Sequence, residues 1–479
     1  MSNSQSSACL IHASRLPCTP RTLKHDVLTT TMLHCGSRIS KLCRSPVAPP
    51  FNFPRRLLIK FEFSSLFQAK GLNTSDEESD EFLPWLERKA RTKISSMLSI
   101  GKSAYGRSLF ASENIRTGDC ILKVPYSVEI TPDNLLPKIR AILSDKIGTV
   151  SKLAIILLFE RKMGQSSGWA PYICCLPQHG EIHSTIFWSE YELNMICQSS
   201  VYQETVNQKA KIEKDFAAVV PALQQFPDLE SITLQDFMCA YFSVTSRAWE
   251  STKGLSLVIA DRNYAPGEEV LINYGKFPNA MLLLDFGFTV PYNIHDQVQI
   301  QLSIPHDDNL REMKLELLQH LTPKIKDAVG FNCPEDTFII KEVRSPRGKG
   351  KGLPQALRAF ARLLCCNSSQ ELSDLAMESA QIDGRLARRP LKDSRREFKA
   401  HKMLSSHITQ LMQKYDTAIK SLPVNSPSMS NTFTLRRQMA HDLLTGELRV
   451  LKSASIWLNN YCAVLKSTSN CRSQWKNRI

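Results

Sequence analysis

The chain has 479 residues, 42% of them hydrophobic, and a formal net charge of +14. That length holds two to four domains at ~100–200 residues each, and the apolar share excludes a wholly disordered chain. The charge is uneven: residues 1–70 hold ten Lys and Arg against two acids, so the remainder is only mildly basic and makes no case for nucleic acid as partner.

Residues 1–72 are rich in Ser, Thr, Arg and Pro and poor in acids. This composition suits a disordered, transit-peptide-like tail; the chloroplast is the expected address and the mitochondrion the alternative, which composition does not separate. The sign of charge flips at Asp76–Glu81, and the apolar pattern of Phe82, Leu83, Trp85 and Leu86 predicts a short amphipathic helix. Residues 92–130 read as short strands and turns, including a turn at Thr117-Gly118-Asp119 and a strand over Cys120–Val124 stopped by Pro125. The period then lengthens. Helices are expected over 151–163, 189–220 and 234–249, with an aromatic turn at Trp169-Ala170-Pro171-Tyr172. Strand signals return at 255–264, at a Pro266-Gly267 turn, and over Glu268–Gly275. From about 305 the pattern is helical, broken by a basic stretch, RSPRGKGKG (344–352), expected to be a mobile, solvated loop.

No uncharged apolar run reaches about 18 residues, so no membrane-spanning helix is expected. The 14 cysteines are scattered without a C-x-x-C. That pattern reads as reduced thiols in an intracellular compartment, not as a zinc cluster or a disulfide framework. There is no helical His/Cys/Asp set for a metal and no G-x-S-x-G elbow, so metal-dependent and hydrolytic chemistry start low. Gly101–Arg107 lies between strand signals and opens no helix, which excludes a P-loop or dinucleotide motif. Taken singly, Tyr274 reads as a packing tyrosine at a strand end, and Arg247 as a solvated or carboxylate-paired cation.

Together these pieces are specific. FLPWLERK, GKSAYGRSLFASENIRTGDCILKVP, SGWAPYICCLP, FWSEYEL, SRAW, PGEEVLINYG and FPNAMLLLDFGF occur in that order between residues 82 and 288. They resemble the SET-domain protein-lysine methyltransferases, in the branch of the plant Rubisco large-subunit methyltransferase. The resemblance implies an α+β fold: a β-rich SET domain over 75–295 with a helical insert at about 150–245. An all-α substrate-binding domain then follows over 305–465. It implies S-adenosylmethionine as cofactor, no metal, and a protein lysine as substrate, although some relatives of the branch act on histidine. It gives Tyr274 the methyl-transfer channel. Ser103, Tyr105, Gly106 and Arg107 fall in the cofactor-wrapping loop, Ser246 and Arg247 at the cofactor's amino-acid end, and Phe286 where many relatives carry a second tyrosine. Nucleic acid is not an implied partner, and the oligomeric state is not legible.

One departure is large. The family carries an Asn-His segment after the SRAW helix, and no Asn-His dipeptide occurs in this chain. Roughly 30 residues are missing between Val258 and Ile259, judged against the family. The segment would supply cofactor contacts and core strands, and each Å² of apolar surface left bare costs about 25 cal/mol. The expectation is a chain impaired in cofactor binding or folding. The alternative is a non-catalytic relative that binds a protein through its helical domain.

Overall fold

A computed structural model describes residues 7–10, 82–103, 106–143, 147–227, 229–251, 255–271, 274–319, 337–382, 387, 389–424 and 430–476. Most of the leading tail, where a transit peptide is expected, lies outside these residues. Its described piece is a strand, β1 (Ser7–Leu10), paired antiparallel with a strand at Ala248–Ser251. The chain divides into two compact units, residues 1–178 with 213–275, and residues 179–212 with 276–479. The units group residues by packing and cut across the sequence-based segments.

In the first unit, helix α1 (Phe82–Ala90) precedes the antiparallel hairpin of β2 (Leu98–Ser103) and β3 (Gly106–Ala111), followed by β4 (Cys120–Pro125). Helix α2 (Thr149–Met163) buries Leu153–Leu158. Helix α3 (Ser200–Leu223) begins in the second unit and ends in the first, and α4 (Leu234–Thr245) packs on α2. The strands β5 (Ala248–Ser251), β6 (Leu255–Ile259) and β7 (Glu269–Val270) complete three small sheets, β1-β5, β2-β3-β7 and β4-β6. A core of Leu98, Ala111, Ile115, Ile121, Ala260, Tyr264 and Val270 lies between the strands. Two tight turns fix it. Asp119 accepts from the Arg116 N–H at 2.7 Å, and Glu268 accepts from the Ala265 N–H at 3.0 Å. Both are local carboxylate-to-backbone bonds of the kind that favours Asp and Glu in turns.

The second unit carries α5 (Asn279–Phe286), strand β8 (Gln297–Gln301), α6 (Arg311–Gln319), strand β9 (Thr337–Lys341), α7 (Gln355–Leu364), α8 (Ser369–Ile382), α9 (Ser394–Lys420) and α10 (Asn431–Lys476). The β8–β9 pair, absent from the sequence reading, buries Val298, Ile300, Phe338 and Ile340 against α10 and its neighbours. Arg436 of α10 binds Glu192 at 2.9 Å and the carbonyls of Phe187 and Ile182 at 3.2 and 3.1 Å, tying the 182–192 segment to this helix.

Several local readings change. Residues 189–220 form two helices, Glu190–Asn194 and α3, because Ser189 and Glu192 close a capping box that starts a separate short helix. The helix expected through Trp249 ends at Thr245, and residues 248–251 are extended. The 344–352 loop is pinned. The Trp457 indole N–H donates to Gly348 O at 2.8 Å and Asn460 to Pro346 O at 3.2 Å.

Gly446 lies midway along α10. A Cβ there would overlap the buried Asp296 carboxylate, which also holds the Asn279 N–H at 3.0 Å. Gly→Ala in an exposed helix gains about 1 kcal/mol. Here overpacking reverses the sign, and Gly446→Ala is expected to destabilise by about 1–3 kcal/mol in chemical denaturation.

Candidate functional site

The site begins where α4 stops. Ser246 caps the helix, and its hydroxyl donates back to Phe242 O at 2.7 Å, a carbonyl that also takes the Ser246 backbone N–H at 2.9 Å. The same oxygen accepts from the Arg247 guanidinium at 2.7 Å. Ser246 is buried and Arg247 half-buried. Burial pushes the Arg247 guanidinium below its usual value, opposed by two nearby phenols, Tyr172 and Tyr274.

Burial raises the Tyr274 phenol above its usual range, and the charge of Arg247 pulls it back. Tyr274 is therefore a neutral phenol at pH 7, within electrostatic reach of a fixed cation. Among the described residues β7 spans Glu269–Val270, Ile272 and Asn273 lie outside the description, and Tyr274 sits in irregular backbone. The bend after it is real, since Gly275 has φ +99°, a conformation that a side chain would strain.

Sequence reasoning missed Tyr172 as a member of this group. Its signal was the aromatic turn. The turn is built by two distant motifs: Trp85 meets Trp169 edge-on at 6.3 Å. The Lys89 ammonium lies 4.2 Å above the Trp169 ring and donates to Gly168 O at 3.0 Å. FLPWLERK and SGWAPYI are thus one packed assembly that presents Tyr172 to Arg247.

Ser103 and Gly106 form the last pair of the β2–β3 hairpin, and Arg107 pairs with Lys102. Tyr105 lies outside the described residues, as does Asn273 next to Tyr274. Phe286 belongs to the second unit. There it packs against Phe277 and Phe288, each at a ring separation of 6.3 Å. The geometry therefore joins Ser246, Arg247 and Tyr274. Among the described residues no cluster of metal-ligating side chains occurs, and no helix is long and apolar enough to cross a membrane.

A half-buried cation within electrostatic reach of two phenols suits a ligand that carries a carboxylate close to a reacting centre. Comparison with known proteins agrees. A family model described as Rubisco LSMT substrate-binding matches residues 305–451. The actin-histidine N-methyltransferase of Mus musculus is 24% identical over 485 residues, covering 88% of this chain and 76% of its own length. The chloroplastic ribulose-1,5-bisphosphate carboxylase/oxygenase large-subunit N-methyltransferase of Pisum sativum is 27% identical over 290 residues, covering 50% of this chain and 57% of its own length. The solved SET domain of LSMT bound to lysine and AdoHcy superposes with a TM-score of 0.61 at 19% identity, covering 82% of this chain and 93% of that one. The structure of Rubisco LSMT bound to AdoMet gives a TM-score of 0.57 at 20% identity, over 81% of this chain and 93% of that one. Domain match, relatives and fold agree: the chain is similar to the SET-type protein methyltransferases of the Rubisco large-subunit methyltransferase branch.

Proposed function

We propose that the chain is an S-adenosylmethionine-dependent protein-lysine N-methyltransferase acting on an organellar protein, impaired by a shortened segment at its cofactor site. The observation that carries this reading is the grouping of Ser246, Arg247 and Tyr274 in a SET fold. The residues fit the cofactor. Arg247, fixed by Ser246, would hold the carboxylate of its amino-acid end, and the 101–107 hairpin would lie along it. S-adenosylmethionine supplies a methyl group on a positively charged sulfur, reactive toward a neutral amine. Tyr274, held neutral by burial, would accept from the amine and orient its lone pair; a dry channel around it lowers the amine's pKa.

The shortened segment has a structural counterpart. Strand β6 runs unbroken through Val258 and Ile259, paired with β4. Leu255 and Leu271 are 49% and 60% exposed. The alignment to the Mus musculus relative spans 485 residues, longer than this chain, while using 88% of it. That relative therefore carries residues with no counterpart here. The same observation favours a second reading, a non-catalytic relative that binds a protein through residues 305–451.

The acid-poor, Arg- and Ser-rich leading segment supports an organellar address; the chloroplast is taken from the resemblance to a chloroplastic relative, with the mitochondrion as the alternative. Lysine is taken as the acceptor over histidine from the order of motifs at 82–288. Mass analysis of labelled substrate separates the two.

The test is calorimetric titration of the full chain with S-adenosylmethionine, beside a version with a family-like Asn-His segment inserted after Val258. Binding only by the extended version supports impairment, tight binding by both overturns it, and binding by neither overturns the cofactor reading. Arg247→Met is expected to weaken binding by about 10- to 100-fold in whichever version binds, the loss of one charge-assisted hydrogen bond. Unchanged affinity would remove Arg247 from the site.

A further inference from the structure

We propose that the basic loop 344–352 of the second unit is a preorganised docking site for an acidic segment of a protein partner. The inference stands apart from methyl transfer: the loop would dock such a segment whether or not the chain is active.

The loop carries Arg344, Arg347, Lys349 and Lys351, all exposed, and follows directly on exposed Lys341. Among the described residues none of these five forms an ion pair; the nearest acid along the chain, Glu342, faces Arg449 at 4.0 Å. The cations are crowded enough that Lys341, Arg344 and Lys276 together help burial to keep His295 below its usual value.

A solvated linker would leave such charges mobile. Here the backbone beneath them is fixed. Trp457 and Asn460 of α10 hold Gly348 O and Pro346 O. Gly350 lies so close to the Trp457 ring that a Cβ would come within 2.7 Å of it, and Lys341 N donates to Gly352 O at 2.8 Å. The Arg358 guanidinium also packs on the indole, 5.0 Å from the ring centre. Binding to a loop already ordered avoids the entropy of fixing it, and unpaired exposed cations complement an acidic chain.

A protein segment is favoured over a nucleic acid for two reasons. The loop sequence RSPRGKGKG contains no aromatic side chain on which a base could stack, and Trp457 beneath it is 3% exposed. The region also lies inside the matched substrate-binding domain, residues 305–451.

The experiment uses the full chain and fluorescence anisotropy with a labelled poly-glutamate peptide, and a labelled single-stranded oligonucleotide in parallel. One variant combines Arg344→Gln, Arg347→Gln, Lys349→Gln and Lys351→Gln. A control combines Lys392→Gln, Lys402→Gln, Lys414→Gln and Lys420→Gln, four exposed cations of the same unit, and makes the same change in net charge. The loop variant is expected to lose at least about tenfold in peptide affinity while the control stays within about twofold. No binding by the parent chain, equal binding by the loop variant, or equal losses in both variants would overturn the proposal. Tighter binding of the oligonucleotide than of the peptide, lost in the loop variant, would make the loop a nucleic-acid surface instead.

Discussion

Glu397→Gln is expected to destabilise the second unit by about 3–5 kcal/mol and to lower its thermal midpoint by roughly 10 °C. Arg362 and Glu397 are both 1% exposed at the side chain and meet in a two-bond fork of 2.8 and 2.6 Å. The remaining lone pairs of the carboxylate are filled by the Leu391 N–H at 3.0 Å and the Tyr461 hydroxyl at 3.0 Å. Arg362 spends a further N–H on Ala387 O at 2.6 Å. A glutamine keeps the shape but leaves a guanidinium buried without its counter-charge. Burial pushes the Glu397 carboxyl up, yet the Arg362 bonds and charge outweigh it and hold the group below its usual range. A depressed carboxyl contributes stability that is present above its unfolded value and lost as pH falls through the folded one. His401 works in the same direction. Burial lowers it to about 4, so it folds neutral, and acid must charge it to unfold it. Its tautomer follows from its partners: Nε2 accepts from Arg358 at 3.2 Å, so Nδ1–H donates to Glu397 O at 2.9 Å. Scanning calorimetry of Glu397→Gln against the parent checks the prediction, and a shift under about 2 °C would sink it. Combining Glu397→Leu with Arg362→Met should recover part of the loss, because no charge is then left alone.

Such a pair is invisible in sequence. Arg362 lies in RAFARLLCC and Glu397 in RREFKAH, each indistinguishable from a solvated helix charge until the fold brings them together. The local code was legible where partners are local. The turn residues at 117–119 and 266–267 and the cores of α2, α7 and α9 follow from periodicity and turn chemistry. What failed was set by distant partners. Of the strand expected over Glu268–Gly275, Glu269 and Val270 pair with Phe110 and Leu109 of β3, while Ile272 and Asn273 lie outside the described residues. Strands β8 and β9 alternate cleanly, but their helical surroundings hid them. The 344–352 loop has the composition of a linker and is fixed by α10 side chains more than 100 residues away. At the site, motif order named Ser246, Arg247 and Tyr274, and the fold sets Ser246 against Arg247 with Tyr274 in electrostatic reach. Tyr172 was overlooked because an aromatic turn is more often packing, and only the fold shows which charge it faces.

Glu447→Gln is expected to do the reverse of Glu397→Gln: to stabilise the second unit increasingly as pH rises from about 4.5 to 8, with no further gain above. Glu447 is 2% exposed, and its two oxygens face the Ser199 hydroxyl at 2.8 Å and the Tyr415 hydroxyl at 2.8 Å. Tyr415 also lies 2.9 Å from Gln198 O. A phenol has one proton. If Tyr415 gives it to Gln198 O, the contact with Glu447 needs a proton on the carboxyl. Burial supplies the reason for one, raising Glu447 to about 8; the Ser199 and Tyr415 bonds pull it back, and Asp296 pushes it further up. A carboxyl raised in the fold contributes stability that is complete below its unfolded value near 4.5 and lost as pH rises through about 8. A glutamine reproduces the neutral acid, with its carbonyl accepting from Ser199 and its amide donating to Tyr415. The parent should therefore lose on the order of a few kcal/mol between pH 6 and 9 that the variant keeps. Asp296, raised to about 6 chiefly by burial, titrates at the lower edge of this window in both chains, so the difference between them reads chiefly Glu447. Urea denaturation at pH 6, 7.5 and 9 reads it directly. A variant weaker than the parent at pH 9 would mean that the fold holds Glu447 ionised, and that Tyr415, not the carboxyl, supplies the shared proton.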